Sequence, residues 1–196
     1  MFTSGLGTGG LIAIVIVVIV LILVISIIGW WISTKNKFLR YQVSIEDAAS
    51  GIDIALTKRF DLLSKMFDIT KGYAKHEKDT LTEVIGMRAG IPKGATAKDL
   101  SAINTKLDEA ARSINVAIER YPDLKANTVF LELQASSRDA EEHLQAARRM
   151  FNSNVKIYNQ LLLVFPSSIV ANHYHYTKSD FFEAQDKKRE DVKLSF

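Results

Sequence analysis

The chain has 196 residues, no cysteine, and 25 basic against 22 acidic side chains. The absence of cysteine excludes disulfide bonds, thiol redox chemistry and cysteine-ligated zinc sites. Three cations, Lys35, Lys37 and Arg40, precede the first acidic residue, Glu46, and the other 22 basic residues match the 22 acidic ones. The net charge therefore comes from one short segment, and the balanced remainder argues against nucleic acid as a partner.

An apolar run dominates the N-terminal part of the sequence. Residues 1–10 form a short glycine-rich tail, and residues 11–32 are almost uninterrupted Ile, Val and Leu. As a helix this run would be about 33 Å long, enough to cross a hydrocarbon core of about 30 Å. A cleaved signal peptide would have a basic start and a shorter apolar stretch. We therefore predict a transmembrane helix at 11–32, with Trp30 and Trp31 at the water–lipid boundary.

A basic segment follows the predicted span. Residues 33–44 contain Lys35, Lys37 and Arg40 and no residue that would stop a helix, so we expect a helical juxtamembrane segment. Its cations are suited to contact the headgroups of anionic membrane lipids. By the positive-inside rule, they also predict that the N-terminus lies outside and that the bulk of the chain lies in the cytoplasm.

The rest of the chain has the pattern of long amphipathic helices, and no stretch alternates with a period of two. Pro92, Pro122 and Pro166 divide it into segments. Within each segment apolar residues recur every three or four positions, as on the buried face of a helix. The predicted core positions are Tyr41, Ile45, Ala48, Ile52, Leu56, Leu63, Met66, Ile69 and Tyr73 in the first helix; Leu100, Ile103, Leu107, Ala110, Ile114, Ala117 and Tyr121 in the second; and Ala140, Leu144, Ala147, Phe151, Val155, Tyr158, Leu162 and Phe165 in the third.

These segments predict an all-α fold in which the transmembrane helix is followed by an antiparallel bundle of three long helices and a short C-terminal helix, at residues 45–186. Thr96 is predicted to cap the second helix and Asn127 the third. Asp108 and Glu141 are expected on outer faces, Asp108 as a partner of Arg112. The charged residues 187–196 are predicted to form a C-terminal tail.

No constellation of residues predicts a catalytic, cofactor-binding or metal site. His173 and His175 are flanked by tyrosines and would suit a shared metal only on a strand, so a polar surface is favoured. Asn152, Asn154 and Asn159 are unusual on a long helix, because Asn is a poor helix former. Their amides either face water or form hydrogen bonds across the bundle.

Several short motifs follow one another along the chain: Gly72–Lys78 (GYAKHEK), Tyr121–Asn127 (YPDLKAN), Phe130–Gln134 (FLELQ), Ala147–Arg149 (ARR), Tyr158–Asn159 (YN), Phe165–Ser167 (FPS) and Phe181–Ala184 (FFEA). In this order and spacing, behind one N-terminal anchor, they resemble the LemA family of bacterial membrane proteins. The resemblance covers roughly residues 35–185 and implies a helical-bundle domain behind a single span, which we expect to lie in the bacterial inner membrane. It implies no catalytic residue.

The sequence predicts a membrane-anchored, non-enzymatic scaffold that associates with itself or holds another membrane protein. The alternative is an accessory or regulatory subunit of a membrane enzyme such as a protease, or an enzyme of unrecognised type. The motif at Gly72–Lys78 is polar although it resembles the family closely. This stretch either contacts a partner through Gly72, Tyr73, Lys75, His76 and Lys78, or is part of the bundle, with Gly72 bending the helix beside a core Tyr73.

Overall fold

A computed structural model describes residues 8–73 and 95–182 of the chain. It contains helices α1 (Thr8–Tyr73), α2 (Ala97–Arg120), α3 (Pro122–Lys125), α4 (Thr128–Leu163) and α5 (Ser167–His173). Within these two ranges there is no strand, which confirms the predicted all-α fold. The predicted C-terminal tail lies outside the described residues, and so does the first part of the glycine-rich tail.

Helix α1 is continuous for 66 residues, so the apolar run, the basic segment and the first helix of the bundle are one element. The helix begins at Thr8, three residues before the predicted start of the span. It contains one segment that is long and apolar enough to cross a membrane, with a mean hydropathy of 3.9, and none of that segment is buried. No proline or glycine lies between the apolar run and Gly51, in keeping with this continuity.

The N-terminal ends of α2 and α4 were predictable from side-chain capping hydrogen bonds. Thr96 and Asp99 form a capping box: the amide of Asp99 donates to the Thr96 hydroxyl, and the amide of Thr96 donates to the Asp99 carboxylate. The Thr96 hydroxyl also donates to this carboxylate, which lowers the pKa of Asp99. Before α4, the Asn127 side chain accepts a hydrogen bond from the amide of Phe130 at 3.1 Å. Both predicted start positions are thereby confirmed.

The described residues form two compact units. We call residues 43–73, 95–157 and 179–182 the Arg59 unit. Its α1 and α4 segments are antiparallel, because the contacts Ser44–Asn154, Gly51–Ala147 and Arg59–Glu141 run in opposite directions along the two helices. Its buried side chains include most of the predicted core positions: Ala48, Ile52, Leu56, Leu63, Met66, Leu100, Leu107, Ala110, Ile114, Ala117, Ala140, Leu144, Phe151 and Val155.

Residues 8–42 and 158–178 form the second unit, which we call the Phe38 unit. Phe38 is fully buried; Tyr158 packs edge-on against its ring and Tyr176 stacks on it, with ring centroids 6.0 and 4.8 Å away. Gln42 donates a hydrogen bond to the Tyr158 hydroxyl, and burial raises the pKa of this phenol. The basic segment predicted to lie between span and bundle is thus itself packed.

Among the predicted core positions whose side chains the structure describes, which exclude Tyr73, one is wrong. Phe165 was placed on the buried stripe of the third helix, but its side chain is 77% exposed. Helix α4 ends at Leu163, so the helical period that places Tyr158 inside no longer applies at Phe165. Val170 and Ala171, on α5, are buried.

Candidate membrane interface and helix-contact sites

The end of the apolar run carries an aromatic cluster formed by two distant parts of the sequence. Trp31 packs edge-on against Trp30 and against His173, with ring centroids 6.3 and 5.3 Å apart. Its indole N–H lies 3.5 Å from the hydroxyl of Tyr174. The Lys35 ammonium lies over the Tyr174 ring, 4.7 Å from its centroid, in a cation–π arrangement.

The predicted interface residues therefore differ in their contacts and exposure. Trp31 and Lys35 are held by contacts with the segment after α5, whereas Lys37 and Arg40 are exposed. The guanidinium of Arg40 donates to the backbone carbonyl of Asn36, one turn earlier on the same helix. The cluster combines apolar rings, N–H and O–H groups and cations, which is the chemistry favoured at a membrane–water boundary.

His173, Tyr174 and His175 are exposed, as expected for the polar surface that the HYHY run predicts. Sequence reasoning nevertheless missed the contacts of His173, Tyr174 and Tyr176 with α1. The backbone explains their placement. Helix α5 ends with the amide of Tyr176 donating to the carbonyl of Ala171 and the amide of His175 donating to the carbonyl of Asn172. His175 has a positive φ of 54°, so the pattern is a Schellman motif with histidine where glycine is usual. The reversal directs Tyr176 onto Phe38.

A buried ion-pair cluster joins three helices of the Arg59 unit, and we call it the Arg59 cluster. The guanidinium of Arg59, on α1, donates to the Asn104 carboxamide at 2.7 Å and to the Asp108 carboxylate at 2.6 Å. The same guanidinium lies 3.2 Å from a carboxylate oxygen of Glu141, on α4. Arg59 and Asn104 are 6% and 5% exposed. A planar guanidinium with several donors can fix the relative register of three helices in this way.

The Arg59 cluster corrects two predictions. Asp108 and Glu141 were placed on outer faces, but their side chains are 18% and 32% exposed and both approach Arg59. A signal for this was present in the sequence. Between Leu56 and Leu63, Phe60 continues the apolar stripe, and the adjacent Arg59 also stands at helical spacing from both leucines. A charged residue therefore lies on the face of the helix that the apolar residues predict to be buried.

The family assignment can now be made on the whole bundle. The sequence model of the LemA family matches residues 48–196, which include the Arg59 cluster, the α4–α5 turn and the aromatic segment after α5. The chain belongs to the LemA family. Protein LemA of Metamycoplasma hominis is 27% identical over 166 residues, which cover 84% of this chain and 76% of that protein.

Within the LemA-family region, the unusual asparagines Asn152 and Asn154 form hydrogen bonds to other elements. The Asn152 amide donates to the carbonyl of Phe182 and accepts from its N–H, at 3.0 and 2.9 Å. Phe182 is 2% exposed, and the guanidinium of Arg148 lies over its ring. The Asn154 amide donates to the carbonyl of Ser44. For Asn152 and Asn154 the interpretation as contacts between elements is confirmed.

A shallow groove lies beside this Asn152 contact. It has a volume of about 570 Å³ and is lined by Arg148, Arg149, Lys156 and Phe181, among others. Arg149 and Lys156 are exposed to solvent. Among residues 8–73 and 95–182, no group of three or more His, Cys, Asp or Glu side chains is placed to hold a metal ion.

The predicted contact stretch is described only in part. Gly72 and Tyr73 form the end of α1, and Lys75, His76 and Lys78 lie outside the described residues. Gly72 is exposed, and a Cβ atom added to it would meet nothing within 4 Å. No described segment therefore uses Gly72 for a close backbone approach.

Proposed function

We propose that this LemA-family protein is a membrane-anchored, non-enzymatic scaffold of the bacterial inner membrane that associates with itself through helices. The observation that carries the proposal is the contrast between the two ends of α1. Its apolar segment is unburied all round, whereas the apolar face of its other half is used within the bundle. Among residues 8–73 and 95–182, more than half of the exposed large apolar side chains thus lie in the predicted span.

The interior of the bundle is used for packing, and this supports a binding role for the domain. Its polar residues in the interior serve packing: Arg59 joins three helices, and Asn152 holds the backbone of Phe182. The central seam residues Leu107 and Leu144 are at most 1% exposed, so these seams hold the bundle together and do not present an interface. Anchoring confines such a domain to two dimensions, which raises its effective concentration toward other anchored chains.

Within lipid, we propose that two spans meet on the face that contains Ser26, Gly29 and Ser33. Small residues allow helix backbones to approach closely, and in lipid such packing drives association in place of the hydrophobic effect. The Ser26 hydroxyl donates to the carbonyl of Ile22, one turn earlier on the same helix, so it does not obstruct the approach of a second helix. A Cβ added to Gly29 would meet nothing within 4 Å.

Cysteine scanning of the span in intact membranes tests this proposal, because the natural chain has no cysteine. Single cysteines are placed at successive positions from Leu21 to Ser33, and disulfide-linked dimers are measured after mild oxidation. We expect the dimer yield to peak every three or four positions, on the face of Ser26, Gly29 and Ser33. Equal yields at all positions would indicate random collision and would contradict the proposal. A cross-linked species of another mass would favour the accessory-subunit alternative.

We also propose that the bundle is cytoplasmic, since Lys35, Lys37 and Arg40 follow the span and no basic side chain precedes it. A cysteine at the exposed Glu142 should then resist a membrane-impermeant thiol reagent in cells with an intact inner membrane. A cysteine at Ser4, on the other side of the span, should react and provides the matched control. Labelling of the Glu142 variant and protection of the Ser4 variant would show the reverse orientation.

For the stretch Gly72–Lys78, we propose contact with a partner outside the bundle. Replacing Lys75, His76 and Lys78 together with Ala should leave the free energy of unfolding nearly unchanged, since Ala is the best helix former. The same variant should lose cross-linking to partners in intact membranes. Triple replacement of Lys65, Arg138 and Lys156, which are all exposed, is the control. Unchanged capture in the first variant would mean that the stretch is only part of the bundle.

A further inference from the structure

The turn between α4 and α5 exposes a group of large apolar side chains. Leu163, Val164 and Phe165 are 67%, 57% and 77% exposed, and Ile169, on α5, is 47% exposed. The turn is fixed by hydrogen bonds, because the Ser167 hydroxyl donates to the carbonyls of Leu161 and Val164. A fixed turn that presents four apolar side chains to water needs a physical reason.

The position of this turn within the Phe38 unit suggests the reason. Tyr158 lies beside Phe38 and Gln42, whereas Tyr174 lies beside Trp31 and Lys35. From Tyr158 to Tyr174, the contacts of the chain with α1 therefore shift toward the apolar end of that helix. Helix α4 ends five residues after Tyr158, so the α4–α5 turn begins about 7.5 Å further along that helix, between these two contacts in the chain. We therefore infer that the turn lies close to the part of α1 where the apolar run ends and the basic segment begins.

The charges of the same unit point to the chemistry of what covers the turn. Residues 1–42 and 158–178 contain no Asp or Glu, although the whole chain has 22 acidic residues. They contain four cations, Lys35, Lys37, Arg40 and Lys178. A unit that combines an exposed apolar turn with cations and aromatic rings, and that has no carboxylate, is complementary to anionic headgroups above acyl chains.

We propose that Leu163, Val164, Phe165 and Ile169 insert into the interfacial layer of an anionic phospholipid bilayer, in the leaflet beside Trp30 and Trp31. The bundle would then be held to the membrane at two points, the span and the α4–α5 turn. Contacts of Trp31 with His173 and Tyr174 connect the two points, so the turn is fixed relative to the end of the span. The inference rests on the proposed membrane anchoring and adds a second contact to it.

A depth measurement with single-cysteine variants of the full chain tests the inference. Phe165→Cys, Val20→Cys and Glu142→Cys are each labelled with the fluorophore NBD. They are reconstituted into vesicles of phosphatidylcholine and phosphatidylglycerol that contain a doxyl quencher, placed near the top of the acyl chain for positions 165 and 142 and near its methyl end for position 20. Phe165 is exposed, so the label displaces little packing, Val20 reports on the span, and Glu142 reports on the exposed bundle surface. We expect quenching at position 165 to exceed that at position 142 several-fold, with blue-shifted emission.

The possible outcomes separate the inference from the proposed anchoring. If position 20 is quenched and position 165 behaves like position 142, the span is present and the inference is wrong. If position 20 is not quenched, the anchoring fails and the inference fails with it. If position 165 is shielded from iodide in water but not quenched by lipid, and the shielding grows with protein density, the turn is covered by a second copy of the chain, which also overturns the inference.

Discussion

Replacing Arg59 with methionine should lower the free energy of unfolding by about 3 kcal/mol. The substitution keeps most of the apolar length of the side chain and removes the charge. Asp108 and Glu141 would then be left as two carboxylates without their common cation, and the buried Asn104 carboxamide would lose its donor. Because Glu141 is partly accessible to water, we expect the loss of unfolding free energy to lie at the lower end of the range that is typical of breaking a buried ion pair.

Urea unfolding of the full chain in a mild non-ionic detergent, followed by helical circular dichroism, measures this loss. The matched control is Lys71→Met, which removes an ion pair with Asp68 on the exposed surface of the same helix. Exposed pairs contribute less than about 1 kcal/mol, so the control should change little. Combining Arg59→Met with Asp108→Leu should recover part of the loss, since removing a whole buried pair costs less than removing one partner. Equal losses for Arg59→Met and the control would contradict the role of the cluster.

Replacing Leu144 with alanine should cost about 3 kcal/mol, within the range of 2–5 kcal/mol that is typical of buried leucines. Leu144 is completely buried on α4, and Leu107 is 1% exposed on α2. Truncation removes methyl groups from the core and leaves a cavity that the neighbouring helices close only in part. Leu107→Ala should give a loss of similar size.

The same urea titration decides this prediction, with Met150→Ala as the control on α4. Met150 is 62% exposed, so its truncation should change the free energy of unfolding by less than about 0.5 kcal/mol. Losses below about 1 kcal/mol at both Leu107 and Leu144 would place these seams on an outer surface. The bundle would then have to associate through them, contrary to the proposed use of the span.

Sequence reasoning was most successful where structure is decided locally. The apolar seam of α2 and the caps at Thr96 and Asn127 follow from helical period and side-chain hydrogen bonding, and both are present. The continuity of α1 beyond the apolar run is equally local, because it requires only that no residue stops the helix. Such features depend on residues a few positions apart, which a single sequence displays directly.

Contacts between distant elements were predicted less well. Asp108 and Glu141 appeared to belong to solvated faces because each is flanked by charged residues on its own helix, whereas their partner Arg59 is on another helix. Tyr174 was missed for the same reason, since Trp31 lies 143 positions earlier in the chain. A polar residue within an apolar stripe, as at Arg59, is the sequence signal that could have identified one of these contacts.

The mass of the full chain in mild detergent, measured over a wide range of protein concentrations, tests the scaffold proposal most directly. The account predicts a species of at least twice the chain mass of 21.9 kDa, which dissociates on dilution. Substitution of Gly29 by Ile should shift this equilibrium toward the monomer, because a branched side chain would keep two spans apart. A strict monomer at every concentration, for the natural chain and the variant alike, would contradict self-association.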